Sequence, residues 1–143
     1  MAEGTDHDRR RFLGSAAMTI TAAHLGLFSP AVAANREPPE LAALGRAAEW
    51  LNSPRLTPSS LAGKVVLVDF WTYTCINWMR TLPYVRAWAQ KYKQGLVVVG
   101  VHTPEFAFEQ RIDNVRRAVQ QMKIEYPVVI DNDYSIWHAF KNQ

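Results

Sequence analysis

The sequence predicts an α/β fold with a mostly parallel central sheet. Three stretches rich in β-branched residues have the length of strands, at residues 65–70, 96–101 and 127–130. The segments between them repeat apolar residues at steps of three and four, as amphipathic helices do. Strands joined by helices of this length pair in parallel through right-handed crossovers. We therefore expect a layered sheet with a functional site at the carboxyl ends of its strands.

Length and composition favour a single globular domain. The chain has 143 residues, of which 48% are hydrophobic, and this is enough for one compact core. The net charge of +3 is small and spread along the chain, so no basic surface for nucleic acid is predicted. A single cysteine excludes an internal disulfide framework. The histidines are scattered and the cysteine has no partner at ligand spacing, so we predict no metal site and no cofactor.

Residues 1–33 have the pattern of a bacterial export signal. Arg9 and Arg10 precede a Phe-Leu pair, as in twin-arginine signals, and a mildly apolar stretch follows. The stretch ends in small residues at positions 31–34, a pattern suited to signal peptidase. We predict recognition by the export machinery, cleavage after Ala33 and a location in the periplasm or on the extracytoplasmic face. An uncleaved membrane anchor and a cytoplasmic helix are the alternatives.

Residues 34–63 are interpreted as an N-terminal extension that leads into the first strand. One short helix is expected over residues 41–51, and a Ser-Pro pair at residues 53–54 ends it. Residues 57–60 indicate a turn. The strand at residues 65–70 is then an almost continuous apolar run, which predicts burial on both faces of the sheet.

A long helix is predicted over residues 74–93. Thr74 is a suitable N-cap, and Gly95 follows the end of the helix. Pro83 interrupts the helix and is expected to kink it. One face of the helix is apolar and consists of Trp78, Leu82, Val85, Ala89 and Tyr92.

Two shorter helices complete the predicted elements. Thr103 is expected to cap the first, with Pro104 in the first-turn position that tolerates proline. The apolar residues of this helix are Phe108, Ile112, Val115, Val119 and Met122. The second helix covers residues 136–140 and follows a turn at residues 132–133.

The region from residue 51 to residue 140 resembles the thioredoxin superfamily. The string Val-Asp-Phe-Trp-Thr-Tyr-Thr-Cys at residues 68–75 and a proline at position 83 carry the resemblance, which continues through residues 97–106 and 126–131. It is similar in particular to the exported TlpA-like and DipZ-like redoxins, which overlap the AhpC/TSA-type domains. The resemblance implies a thioredoxin-like three-layer fold in which residues 64–143 are a partial, C-terminally truncated redoxin domain. Such a domain would have an exposed apolar sheet edge, which favours pairing with another chain.

Cys75 and three residues near it match positions that have a role in the superfamily, and Trp78 departs from the pattern. Cys75 itself matches the attacking cysteine. Asp69 falls where thioredoxins have a buried carboxylate and is a candidate proton acceptor; a local hydrogen-bonding role is the alternative. Trp71 matches the tryptophan beside their active site, and Pro83 matches the proline of the active-site helix. Trp78 occupies the position of the second, resolving cysteine of a dithiol enzyme.

Two further candidates resemble residues of related branches. Thr72 matches the threonine of peroxiredoxin sites, although the proline of those sites is Val68 here. Glu105 corresponds to a glutamate near the thiol in cytochrome-maturation redoxins; its alternative is an acidic residue stabilised in a first helical turn. For Cys75 the alternative is a small buried apolar residue, and for Trp78 it is packing in the core.

The resemblance and the single cysteine together predict an exported thiol redox protein that acts through that residue. At a helix N-terminus, the helix dipole and the free backbone N–H groups favour the reactive thiolate. The options are monothiol exchange with protein or small-molecule thiols and disulfides, or antioxidant-type reduction of peroxides. A non-catalytic binding module with a redoxin fold and an inactive truncated fragment are the alternatives.

Overall fold

The computed structural model describes residues 38–47 and 49–143, so the predicted signal at residues 1–33 lies outside the described residues. The elements follow in the order α1 (Pro39–Leu44), β1 (Trp50–Leu51), α2 (Pro58–Leu61), β2 (Val65–Trp71), α3 (Ile76–Lys91), β3 (Leu96–His102), a 3₁₀ helix (Ala107–Gln110), α4 (Ile112–Gln121), β4 (Val128–Ile130) and α5 (Ser135–Ala139). Within this part of the chain, no helix has both the length and the apolar character needed to span a membrane.

The strands form one sheet in the order β1-β4-β3-β2. β2 and β3 pair in parallel along their whole length, from Val65 opposite Leu96 to Trp71 opposite His102. β4 is parallel to β3, whereas β1 is antiparallel to β4. The three predicted strands are therefore present and parallel, and β2 forms one edge of the sheet.

Apolar clusters cover both faces of this sheet, which gives the molecule three layers. One cluster joins α3 and α4 to the sheet and consists of Trp71, Trp78, Leu82, Val85, Val98, Val115, Val119, Ile124, Tyr126 and Val128. The cluster on the other face consists of Leu44, Ala47, Val99, Val101, Val129 and Ile136. Successive residues of β3 contribute to opposite clusters because side chains alternate along a strand.

The segment before β2 differs from the prediction. The helix predicted over residues 41–51 ends at Leu44, and Trp50–Leu51 is a strand that pairs with β4. The pairing partner lies far along the chain, so local periodicity does not reveal this strand. The turn predicted at residues 57–60 contains α2, whose N-cap Thr57 accepts a hydrogen bond from the Ser60 N–H.

The helix predicted to begin at Thr103 begins later. A bend follows β3, then the 3₁₀ helix, and α4 starts only at Ile112. The backbone N–H groups of Glu105 and Phe106 donate to the Glu109 carboxylate at 2.7 and 3.0 Å. The side chain thus satisfies donors in a bend, and a continuous helix from Thr103 is not formed.

Candidate functional site

Cys75 lies at the junction between the carboxyl end of β2 and the start of α3. Its backbone is extended, and its carbonyl accepts the Met79 N–H at 3.0 Å, so Cys75 is the N-cap of α3. The expectation that Thr74 is the N-cap is wrong: the Thr74 hydroxyl donates to Glu109 Oε1 at 2.6 Å instead. The Cys75 side chain is half-buried and is a free cysteine. It therefore faces the positive end of a helix while remaining accessible.

A cleft of about 370 Å³ contains Cys75 and four of the other predicted site residues. These four are Trp71, Thr72, Trp78 and Glu105. The remaining lining comes from the end of β2, the bend after β3 and the region of α5, namely Phe70, Thr103, Pro104, Tyr134, Trp137 and Gln143. Pro83 lies inside α3 and lines a different cleft of about 780 Å³. Arg9 and Arg10 lie outside the described residues.

Trp78, at the position of the missing sulfur, is buried in the core and forms part of the cleft wall. Its indole stacks on Trp71 with 4.5 Å between ring centroids and an interplanar angle of 26°. Its Nε1–H donates to Asp69 Oδ2 at 3.0 Å. The indole therefore donates a hydrogen bond to the Asp69 carboxylate of β2 and also packs beside the turn that carries Cys75.

Asp69 is connected to the site through Trp78 and does not itself line the cleft. Burial raises the pKa of Asp69, and the hydrogen bond from Trp78 and the nearby Tyr126 hydroxyl oppose the rise. The Tyr126 hydroxyl makes no hydrogen bond within the protein, but it lies close enough to the Asp69 carboxyl group to lower its pKa. Burial and the charge of Asp69 raise the pKa of Tyr126 in turn.

Glu109 is a buried carboxylate that the sequence reasoning missed. It is 0% exposed and accepts hydrogen bonds from the Thr74 hydroxyl and from the Glu105 and Phe106 N–H groups. Burial acts to raise the pKa of Glu109, but these hydrogen bonds together with the nearby Thr72 hydroxyl lower it overall. Glu109 follows Phe106 by three residues, which is the spacing of a glutamate that caps a helix. This spacing is the one sequence signal that could have identified Glu109.

The other cleft residues differ in exposure. Glu105 is exposed at the rim, whereas Thr72 is buried and its hydroxyl has no geometric hydrogen-bond partner in the protein. Trp71 is buried against β3, where its ring lies close to Gly100. A Cβ on Gly100 would lie 3.0 Å from Trp71 Nε1 and 3.1 Å from Tyr126 Cε2. The absence of a side chain there lets both rings approach the strand.

His102, at the end of β3, does not line the cleft with Cys75. Its ring lies edge-on to Trp71, with centroids 5.0 Å apart, and stacks on Tyr73 at 5.8 Å. Neither ring nitrogen has a hydrogen-bond partner in the protein. Burial lowers the pKa of His102 to about 4, so the ring is neutral at pH 7. In residues 38–47 and 49–143 there is no group of three or more possible metal-ligating side chains.

Two curated relatives show what this chain is similar to. Over 98 residues, or 66% of this chain, it is 49% identical to Protein DipZ of Mycobacterium tuberculosis, of which the match covers 14%. Over 94 residues, or 66% of this chain, it is 29% identical to the thiol-disulfide oxidoreductase YkuV of Bacillus subtilis, of which the match covers 64%. The chain thus spans about one-seventh of the length of the first relative. No protein-family model matches the chain.

Two solved structures have a fold similar to that of this chain. The solution structure of a thioredoxin-like protein in the oxidized form has a TM-score of 0.60 and 28% sequence identity, and the match covers 68% of this chain and 65% of that one. The structure of MTB dsbF has a TM-score of 0.58 at 22% identity and covers 71% of this chain and 72% of that one. These likenesses confirm the predicted thioredoxin-like α/β fold with its mostly parallel sheet.

Proposed function

Because this chain belongs to the thioredoxin-like superfamily, we propose that it is an exported thiol redox protein that reacts through Cys75 alone. One observation carries the proposal: the single cysteine is half-buried at the N-cap of α3 and lines a cleft. The similarity to a thiol-disulfide oxidoreductase supports the same class of chemistry. The extracytoplasmic location rests on the export pattern of residues 1–33.

The proposed reaction is a monothiol exchange in two steps. In the first, the Cys75 thiolate attacks one sulfur of a substrate disulfide, the substrate S–S bond breaks, and a mixed disulfide forms. The other substrate sulfur leaves as a thiolate and takes a proton. In the second, an external thiolate attacks the mixed disulfide and releases Cys75. Trp78 carries no sulfur, so no internal group performs the second step.

The surrounding side chains have distinct roles in this proposal. The stacked rings of Trp71 and Trp78 form an apolar wall that positions the substrate disulfide beside the sulfur. Glu105 is the exposed carboxylate of the same cleft and is available to accept the proton that the Cys75 thiol loses before it attacks. Asp69 is engaged by Trp78 and acts by holding that indole in place.

Reduction of peroxide is the second candidate, and the buried Thr72 hydroxyl in the cleft with Cys75 favours it. The thiolate would attack one peroxide oxygen, the O–O bond would break, and Cys75 would become a sulfenic acid with release of water. Two external thiols would then restore the cysteine, the first by forming a mixed disulfide and the second by cleaving it.

Intact-mass spectrometry distinguishes these reactions. The reduced full chain is mixed at pH 7 with glutathione disulfide or with hydrogen peroxide and a sulfenic-acid trap. We expect one glutathionyl group on the wild type, stable until a thiol is added, because no second sulfur resolves it. Cys75→Ser should acquire none. A trapped sulfenic acid without the adduct would favour the peroxide reaction.

The rate of adduct formation provides the decisive comparison. The helix N-terminus should make folded Cys75 react faster than the same cysteine in an unfolded peptide covering residues 70–80. Equal rates, or neither an adduct nor a trapped sulfenic acid on a folded chain, would reject thiol chemistry. The remaining interpretation would then be a binding module that keeps the fold without the reaction.

A further inference from the structure

A buried carboxylate holds the turn that carries Cys75. The turn spans residues 72–75 and is closed by a hydrogen bond from the Cys75 N–H to the Thr72 carbonyl at 3.2 Å. Within the turn, the Thr74 hydroxyl donates to Glu109 Oε1 at 2.6 Å. Among the described residues, this is the one hydrogen bond that Thr74 makes. The position of the residue next to Cys75 therefore depends on Glu109.

The other end of this link is attached to a firmly held part of the fold. Glu109 Oε2 accepts the N–H groups of Glu105 and Phe106, at 2.7 and 3.0 Å, in the bend that follows β3. β3 is paired on both sides, with β2 and with β4. The Thr103 N–H, just after β3, donates to the Trp71 carbonyl at 3.0 Å. The link therefore ties the turn to a segment whose own position is fixed by the sheet.

The carboxylate of Glu109 is completely buried and is held by uncharged donors. Neither of the ion pairs among the described residues involves it. Burial acts to raise the pKa of Glu109, but the hydrogen bonds that it accepts lower this pKa overall, so the side chain is ionised at neutral pH. Hydrogen bonds to an ionised acceptor are roughly twice as strong as those between neutral groups. The link is thus stronger than a bond between two neutral side chains would be.

The turn determines where Cys75 lies relative to the start of α3. The N–H groups of residues 76–78 have no backbone acceptor among the described residues, so they are free donors at the helix N-terminus. An N-cap side chain lies beside the N–H groups of the second and third helical residues. Cys75 is the N-cap, so these donors and the helix dipole favour a thiolate there. A shift of the turn would move the sulfur away from them.

We propose that Glu109 is a positioning residue, which through Thr74 keeps Cys75 beside the free N–H groups of α3 and so speeds the reaction of its thiolate. This inference rests on the proposed function, because it concerns the same reaction. Glu109 does not line the cleft, so it acts on the turn and not on the substrate. All the contacts that support the inference lie between residues 71 and 109.

The Thr74→Val variant breaks the link and leaves Glu109 in place. Thr74 is exposed and valine has nearly the same shape, so the full chain should fold. The measurement is the rate of alkylation by iodoacetamide, in which the sulfur displaces iodide, for the folded chain and for the same chain unfolded in urea. We expect the ratio of the folded to the unfolded rate to fall by about three- to tenfold. Thr74→Ser keeps the hydroxyl and should restore the wild-type ratio, which a general loss of stability does not change while the chain stays folded.

Tyr73→Phe is the matched control for loss of a hydroxyl group. The Tyr73 hydroxyl donates to the Phe108 carbonyl at 3.1 Å, so it joins the same two segments without contacting Glu109. This hydrogen bond is exposed, and neither partner lines the cleft with Cys75. We therefore expect Tyr73→Phe to keep the wild-type ratio of rates.

Substitution of Glu109 and amide hydrogen exchange test the route of the effect. Glu109→Gln replaces the carboxylate by a neutral amide and should also lower the ratio. In that background Thr74→Val should cost less than in the wild type, because both residues act through one contact. In Thr74→Val the Cys75 amide should exchange faster, whereas the amides of Glu105 and Phe106 should stay protected by Glu109.

The outcomes separate this inference from the proposed function. The role of Glu109 would be overturned, and the thiol reaction left standing, by a fast wild type whose ratio and Cys75 amide are unchanged in Thr74→Val. Equal losses in Tyr73→Phe and Thr74→Val, or independent effects of Glu109→Gln and Thr74→Val, would also overturn it. A folded wild type that reacts no faster than the unfolded chain would instead reject the proposed function, and the inference with it.

Discussion

At the scale of single residues, His102 is the clearest case of burial acting on a titratable group. The ring is fully buried between Trp71 and Tyr73, and its nitrogens have no hydrogen-bond partner in the protein. Burial is the main reason that its pKa falls to about 4, although the negative charge of Glu109 acts in the opposite direction. Folding therefore favours the neutral form of this side chain.

We expect the free energy of unfolding to fall as the pH is lowered from about 6.5 to about 4. In that window the unfolded chain binds a proton at His102 that the folded chain does not, so stability rises with pH. The full effect is about 3 kcal/mol, an order-of-magnitude value. Urea titrations at several pH values measure it.

His102→Phe should remove most of this pH dependence, because phenylalanine keeps the aromatic contacts and does not titrate. The measured quantity is the change in the free energy of unfolding with pH. A loss of stability caused by the larger phenylalanine ring is the same at every pH and does not alter that change. His138→Gln, at an exposed position in α5, is the matched control and should keep the wild-type slope. An unchanged slope in His102→Phe would assign the acid sensitivity to other groups.

The two glutamates after β3 show which residues of the site can be identified from the sequence and which cannot. The resemblance selects Glu105, and the structure places it at the cleft. Glu109 lies four positions later and is the one turned inward, where it joins the bend to the thiol-bearing turn through Thr74. Which of two nearby carboxylates is buried depends on the bend at Glu105 and Phe106, and a linear pattern does not contain that information.

At the scale of elements, α3 was predictable and its cap was not. The apolar repeat and the glycine after it are local signals, and the helix runs from Ile76 to Lys91 against a predicted 74–93. The Thr74 hydroxyl is engaged by a carboxylate 35 positions along the chain, which leaves Cys75 as N-cap. Strand β1 was missed for the same reason, since pairing with β4 creates it.

The Trp78→Cys variant tests whether a second thiol in α3 is all that dithiol chemistry at this site requires. Residues three apart in a helix have Cβ atoms about 5–6 Å apart, and a small adjustment at a helix end brings them into disulfide range. We expect an internal disulfide with Cys75 and turnover of a protein disulfide with a dithiol reductant. Loss of the indole should cost about 3–5 kcal/mol of stability, because its packing on Trp71 disappears.

Trp78→Ser is the matched control for that variant. It opens the same space and supplies no sulfur, so it should show the stability loss and form only mixed disulfides. Thiol counts before and after oxidation, combined with thermal unfolding, separate the two effects. If the Trp78→Cys variant is folded and still has two free thiols after oxidation, the geometry of the turn prevents a disulfide between position 78 and Cys75.

At the scale of the whole molecule, the three parallel strands lie in sequential order within the sheet. Right-handed crossovers between strands in that order place α3 and α4 on the same face, as the structure has them. The antiparallel β1 and the packing of both faces depend on contacts that no local pattern encodes. The sheet therefore positions the thiol of the proposed function at the carboxyl end of β2.

Export is the remaining proposal about the whole chain, and substitution of Arg9 and Arg10 tests it. A twin-arginine signal is an address read by a receptor, whereas a membrane anchor or a general secretory signal needs only positive charge. We therefore expect Arg9→Lys with Arg10→Lys, which preserves the charge, to retain the full chain in the cytoplasm of a bacterial host. Replacing the neighbouring Arg11 by Lys should leave export intact. Fractionation followed by detection of a C-terminal tag measures both. Undiminished export of the double variant would contradict the twin-arginine interpretation, and a product that keeps its full length in the membrane fraction would indicate the uncleaved anchor.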